Sequence, residues 1–273
     1  MTDVLRLVRA PNLALAAAGV LAGGWIALGV LALPVSLAWA ALSAVGLGIT
    51  GNVADDLVDV RADVANRRTD RPLAAGRVTR RAAWVWLAGG MVAGLAAAAA
   101  AGRLVLAAAL IALAVMLAYS PFLKPRPLIG NVAVAVVAGS PLFYGALAVG
   151  RPAAGIVPWV LGAWIHLARE VVKDLGDAPG DRLVGRRTLV VALGPAPARW
   201  TAAALTFAFA PGSFVLPWAA GYSGTYFLVA LFAQLAVLVA AARLAAGAVT
   251  RVSALLKGAM AIGLVALVAG RVT

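Results

Sequence analysis

Two short stretches of this chain hold nearly all of its acid, and they share one spacing. Asn52, Asp56, Asp59 and Asp63 stand at offsets of 0, 4, 7 and 11, and Glu170, Asp174, Asp177 and Asp181 repeat those offsets 118 residues later. At about 100° per residue such positions fall within roughly 60° of one helix face. Each stretch therefore predicts a helix with carboxylates stacked on one side, and Asp55 lies on the flank of the first. Basic residues follow in both places: Arg67 and Arg68 before Thr69, Arg186 and Arg187 before Thr188. All but one of the ten Asp and Glu residues fall in these two regions. A matched pair at one separation predicts two halves of similar build facing each other across a shared site.

The chemistry open to such a site is that of a hard divalent cation. The chain has no Cys and a single His, His166, so thiolate and His-rich metal sites are excluded. Mg²⁺ prefers oxygen and usually binds one or two carboxylates together with substrate phosphates. Two acidic faces across a cavity could hold Mg²⁺ on a diphosphate, with Lys124, Arg67, Arg71 and Lys173 gripping the remaining oxygens. A diphosphate held this way is a good leaving group, because metal and cations stabilise the charge that grows as its C–O bond breaks. The plainer reading is a solvated loop whose acids are balanced by Arg. It suits Asp63, Asp70 and Asp181 singly, but does not account for two matched faces at one membrane depth.

The elements that must position these residues are membrane helices. The 273 residues are 64% hydrophobic and only 12% charged, with a mean hydropathy of +0.99; a soluble domain is nearer 45–50% apolar and about 25% charged. Spans need about 20 mainly apolar residues, and nine segments qualify: 13–33, 36–57, 82–101, 103–122, 128–149, 153–175, 189–210, 224–246 and 252–270. The expected fold is all-α and polytopic, with about nine transmembrane helices in two pseudo-repeated halves around a central cavity. We expect one integral-membrane domain, 1–273, with the first apolar segment retained as a helix. Pro34, Pro121, Pro125, Pro152, Pro211 and Pro217 fall near proposed helix ends. The net charge of +13 sits in short loops rather than in a nucleic-acid footprint. Of the 23 Lys and Arg, only Arg103, Arg151 and Arg271 fall on the side opposite the N-terminus. That asymmetry predicts a multi-pass cell-membrane protein with a cytoplasmic N-terminus and both acidic stretches facing the cytoplasm. An apolar cavity above a metal-bound diphosphate suits a polyisoprenyl diphosphate.

At this point the residues resemble a known family. Asp55-Asp56-x-x-Asp59-x-x-x-Asp63, followed by Asn66 and Arg71-Pro72-Leu73, is similar to the first motif of the UbiA superfamily of intramembrane prenyltransferases. Asp55 stands where that family has Asn, with Asn52 one turn earlier on the same face. The stretch Arg169-Glu170-Val-Val-Lys173-Asp174-Leu-Gly-Asp177-Ala-Pro-Gly-Asp181-Arg-Leu-Val-Gly-Arg-Arg-Thr-Leu resembles the second motif, and the likeness extends over nearly the whole chain. It implies Mg²⁺ as cofactor, with Asp56, Asp59, Asp63, Asp174, Asp177 and Asp181 as metal ligands or their immediate support. It also implies roles at the substrate for Arg9, Asn12, Asn52, Asp55, Arg67, Arg71, Lys124, Asn131, Arg169 and Lys173. Tyr119 is implied to face the allylic carbon. Plainer readings are an interfacial anchor for Tyr119, an interhelical hydrogen bond for Asn131 and a satisfied polar residue between helices for His166.

Within the family, the second motif and the Arg-Pro-Leu loop most resemble enzymes that transfer a geranylgeranyl group to the hydroxyl of a glycerol-phosphate ether lipid. Prenylation of an aromatic acceptor, of the 4-hydroxybenzoate or homogentisate type, is the second reading. From another class, an ion-coupled transporter also carries membrane acids and repeated halves, but near the bilayer midplane rather than at one end.

Overall fold

The computed structural model describes residues 2–272, and among them every regular element is helical. In chain order these are α1 (Thr2–Leu7), α2 (Ala10–Leu28), α3 (Val35–Ala65), α4 (Arg80–Ala101), α5 (Arg103–Ala118), a π-turn (Tyr119–Leu123), α6 (Ile129–Gly139), α7 (Pro141–Ala148), α8 (Pro152–Leu183), α9 (Leu189–Leu193), α10 (Pro195–Ala219), α11 (Gly224–Ala245) and α12 (Val252–Ala269). Eight helices are long and apolar enough to cross a membrane, and the bent pair α6–α7 makes a ninth crossing. The protein is a multi-pass membrane protein. Nine crossings put its ends on opposite sides, and Arg271 indeed lies beside Gly29, at the far end of α2 from α1.

Three departures from the apolar segments matter. First, α3 and α8 run past their apolar stretches, to Ala65 and Leu183, so the acidic motifs ride on continuous helix. The 118-residue offset between the motifs carries over, to within one residue, to both ends of these helices. Second, the segment at 128–149 is broken: α6 and α7 meet at 41°, where Pro141 cannot donate a backbone N–H to continue the helix. Third, the crossing expected at 189–210 begins later. Gly194, at φ 89, and Pro195 at the first helical turn end α9 and start α10. As a result Pro211 and Pro217 lie inside α10 rather than at helix ends. A membrane helix tolerates them because packed neighbours re-satisfy the backbone groups they free.

Small residues set the helix approach. Gly46 of α3 lies so close to α4 that a Cβ there would sit 2.6 Å from the Gly94 nitrogen, the close backbone contact that substitutes for a hydrophobic drive in lipid. On the side opposite α1, Arg151 donates to the Ala27 carbonyl at 3.0 Å and Arg271 to that of Ala220 at 2.9 Å. Two of the three far-side cations thus cap the carbonyl ends of helices. At the motif end, Leu73 is buried against Leu7, Val53, Leu57, Ala83 and Leu87. It fastens the loop between α3 and α4 and fixes Arg71 two residues before it.

Candidate active site

The two motif helices are clipped together where they end. Asn66 caps α3, accepts a hydrogen bond from the Gly180 N–H (2.8 Å) and donates one to the Asp177 carbonyl (3.2 Å). Any side chain at Gly180 would collide with the Asn66 amide and with the Ala62 carbonyl, so glycine is what allows α3 and α8 to meet.

Across this clip the charges pair reciprocally. Arg68, just after α3, donates to Asp177 on α8 at 3.1 Å; Arg186, just after α8, donates to Asp59 on α3. Each residue of one pair lies 118 positions from its counterpart in the other. Arg186 also reaches Asp181 at 3.5 Å, and Lys124 grips the second oxygen of Asp59. Lys124 is delivered by the π-turn at Pro121, closed by its own N–H on the Tyr119 carbonyl at 2.7 Å. Gly130 leaves room for that turn, since a Cβ there would lie 2.8 Å from Lys124 Cα.

One turn earlier on α3 the partners differ. Arg9 sits at the corner between α1 and α2 with φ 55, in the left-handed region that costs an L-residue energy. Its guanidinium spreads over Asn52 (3.2 Å), Asp55 (2.9 Å) and Asp56 (2.5 Å). Asn52 in turn donates to the Val8 carbonyl at 2.9 Å and so ties down that corner. Asp56 also takes Arg71 at 2.7 Å, and Asp55 takes the Ser120 hydroxyl at 2.7 Å. Burial pulls the cations Arg9, Lys124 and Arg186 toward neutrality, but the surrounding aspartates outweigh it and hold all three above their ordinary pKa values. They stay charged.

On α8 the equivalent turn is built otherwise. Glu170 takes Lys173 at 2.7 Å and Arg169 at 3.5 Å, and Asp174 takes the Asn131 amide at 2.8 Å. His166, Arg169, Glu170 and Lys173 share one face of α8. Lys257 of α12 lines the same cavity as Arg169 and Lys173, and reaches Asn12 of α2 at 3.5 Å.

One cavity of about 1350 Å³ joins these features. Of the residues singled out in the sequence, Arg9, Asn12, Asn52, Asp55, Asp59, Asp63, Arg71, Tyr119, Lys124, Arg169, Lys173, Asp177 and Asp181 line it. Asp56 and Asp174 do not: they are buried behind the wall, 2% and 8% exposed, on their partners. Asn131 is buried beside Asp174, and Arg67 is exposed away from the cavity. The place expected for Arg67 belongs to Arg68. Beyond the charged mouth the lining turns apolar, with Val115, Met116, Phe209, Leu264 and Leu267.

Among the described residues no three acids converge into a ready-made metal cage; cations stand between them. The donor set nonetheless fits Mg²⁺. The acids facing the mouth offer carboxylate oxygens: those of Asp63 make no hydrogen bond or ion pair among the described residues, and one oxygen of Asp181 is buried without a partner. Such oxygens are costly unless a cation completes them.

Sequence reasoning passed over Arg68 and Arg186 as site residues, as well as Ser120, Asn66 and Lys257. The signal for the two arginines was present, because the motif offset applied to Arg68 lands on Arg186. Nothing local marks Lys257, which reaches the site from the last helix.

The model of the UbiA prenyltransferase family matches residues 16–254. The chain belongs to that family. This prenyltransferase is 35% identical over 272 residues, covering 98% of the chain and 99% of the relative, to a digeranylgeranylglyceryl phosphate synthase of Methanopyrus kandleri. It is 38% identical over 243 residues to one of Halobacterium salinarum, covering 88% and 86%. Its fold matches that of a UbiA homologue from Aeropyrum pernix K1, with a TM-score of 0.81 at 22% identity over 93% of this chain and 97% of the other. It also matches a UbiA homologue from Archaeoglobus fulgidus bound to GPP and Mg²⁺, with a TM-score of 0.71 at 18% identity over 97% and 99%.

Proposed function

We propose that this prenyltransferase moves a geranylgeranyl group from geranylgeranyl diphosphate to the hydroxyl of geranylgeranylglyceryl phosphate, with Mg²⁺ as cofactor, and that residues 1–273 act as one domain. The observation that carries the reading is the cavity, charged at its mouth and apolar beyond, which can hold a diphosphate head and a polyprenyl tail at once. The names of the relatives that match over almost the full length point to the same product.

In this reading Asp59, Asp63, Asp177 and Asp181 would hold Mg²⁺ at the mouth. Asp56, fixed by Arg9 and Arg71, and Asp174, fixed by Asn131, support them from behind the wall. When bound, Mg²⁺ supplies positive charge for the departing diphosphate. Arg68, Arg71, Lys124 and Arg186 donate hydrogen bonds to the diphosphate oxygens as the C1–O bond breaks and its electron pair leaves with the diphosphate. The Tyr119 ring, 6.0 Å from the Lys124 ammonium, faces the allylic carbon and stabilises its positive charge. The apolar wall keeps water from the cation, the acceptor oxygen bonds to C1, and the hydroxyl proton passes to the departed diphosphate. No covalent enzyme intermediate is required.

The excess of basic residues around α1 and the motif loops supports a cytoplasmic N-terminus and a cytoplasmic mouth in the cell membrane. The test is mass spectrometry of products from the purified full chain, given geranylgeranyl diphosphate and Mg²⁺ with geranylgeranylglyceryl phosphate, 4-hydroxybenzoate and homogentisate together. The digeranylgeranyl ether lipid is expected. A prenylated aromatic as the main product would replace this acceptor with the aromatic one.

A further inference from the structure

The cavity mouth carries two charge clusters of opposite balance. Around Asp59 and Asp177 the carboxylates outnumber the cations they pair with: Asp55, Asp59, Asp63, Asp70, Asp177 and Asp181 face Arg9, Arg68, Arg71, Lys124 and Arg186. Such a cluster calls for divalent cations. Between α2, α8 and α12, which pack against one another, the balance is reversed. There Arg169, Lys173 and Lys257 line the cavity with one carboxylate, Glu170, between them. Asp174, one turn on, is turned to Asn131. The Arg169 Nε is buried with no partner, and Lys257 has only Asn12, at the long distance of 3.5 Å. Arg169 is mostly buried while Lys173 and Lys257 present more exposed ammonium ends to the same opening, and one carboxylate does not balance three cations that line it. An anion between them would.

We infer that Arg169, Lys173 and Lys257, with Asn12, form a metal-independent site for the phosphate monoester of the acceptor lipid, separate from the metal-dependent diphosphate site. The surplus of about two positive charges matches a phosphate monoester near neutral pH, which carries about −1.5 to −2. The planar guanidinium of Arg169 suits its paired oxygens, while Lys257 and Lys173 close on it as point charges from two helices. Both sites open on one cavity, so a phosphate bound here leaves the acceptor's glycerol hydroxyl free to extend toward Asp59 and Asp177, where the allylic carbon lies. This inference rests on the acceptor reading above.

The test is a binding measurement on the purified full chain in nanodiscs, without transfer. Affinity for geranylgeranylglyceryl phosphate, and for the same lipid lacking its phosphate, is measured with Mg²⁺ and with excess chelator. The wild type is expected to bind the phosphorylated lipid at least tenfold more tightly than the neutral one, with or without chelator, since charge-assisted hydrogen bonds are at stake. K257E and R169Q should each lose about tenfold for the phosphorylated lipid and little for the neutral one. Their Mg²⁺-dependent affinity for geranylgeranyl diphosphate should stay within about twofold, which also reports that they are folded. Phosphate preference that survives in both variants, or that vanishes in chelator, overturns the inference. Failure of the acceptor reading looks different: the wild type makes no ether product, and 4-hydroxybenzoate competes for the site where the phosphorylated lipid does not.

Discussion

The ends of α3 and α8 agree in one turn and differ in the turn before it. At Asp59 and Asp177 the two halves do the same thing: each aspartate is held by the arginine that follows the other helix. One turn earlier, Asn52 and Asp56 belong to Arg9 and Arg71, whereas Glu170 and Asp174 belong to Lys173, Arg169 and Asn131. In the proposed reaction the shared turn would bracket a metal-bound diphosphate. The divergent turn is where the halves can treat two substrates differently. A repeat alone would give two equal sites; it is the departure from the repeat that can separate donor from acceptor.

The largest effect should come from breaking the shared turn. Asp59→Ala, Asp177→Ala and Asp181→Ala, and Asp56→Ala behind them, are each expected to lower kcat/KM by about 10²–10³, with circular dichroism unchanged. Excess chelator should abolish transfer in the wild type. Normal turnover in all four variants would mean that the carboxylates are only solvated.

Gly180→Ala tests the clip that brings the two turns together. The added methyl must displace Asn66 or Ala62, at a cost of about 1–3 kcal/mol typical of overpacking. We expect a fall of several degrees in the melting temperature and roughly tenfold lower activity as the helix ends part. An unchanged melting temperature would mean that α3 and α8 are held elsewhere.

The reciprocal pairs should prove unequal in strength despite their symmetry. The Arg186 side chain is 10% exposed and bridges two aspartates, while that of Arg68 is 31% exposed and shares itself with surface Asp70. Arg186→Ala leaves buried acid without a partner and should destabilise by about 3 kcal/mol; Arg68→Ala should cost about 1 kcal/mol or less. Thermal melts in metal-free buffer measure both, and equal losses would contradict the difference in burial.

The smallest effect belongs to Asp55→Asn. The single amide oxygen at 55 can still accept from Arg9, while its NH2 donates to the Ser120 hydroxyl, which turns to accept, and Asn52 keeps its bond to Val8. Activity within a few-fold of wild type is expected. A hundredfold loss would make the Asp55 charge itself part of the chemistry.

Much of the candidate site was legible in the chain. The spacing of Asp56, Asp59, Asp63, Asp174, Asp177 and Asp181 carries the helical period directly. Lys124 stands out as a cation just past an apolar stretch, and Arg71 as the cation of the Arg-Pro-Leu loop. Arg68 lines the cavity where the spacing offered Arg67, which is exposed at φ 52, a choice of loop geometry with no sequence period behind it. The burial of Asp56 and Asp174 was equally hidden. On their own helices they are equivalent to Asp59 and Asp177, and only the neighbours Arg9, Arg71 and Asn131 draw them behind the wall.

The sequence by itself determined the class of this protein: membrane helices, two acidic faces in register, and cations massed on one side. Those are local properties, written in hydropathy and in the 3.6-residue period, and they hold whatever the helices pack against. Only the tertiary structure decided which arginine meets which aspartate, that the crossings at 128–149 and 189–210 are bent and shifted, and that Lys257 from the last helix joins Arg169 and Lys173 at the mouth. Each of those outcomes depends on chain segments far apart in sequence. Their meeting is set by close helix contacts such as Gly46 on Gly94 and by the clip between Asn66 and Gly180, and no spacing within one segment encodes it.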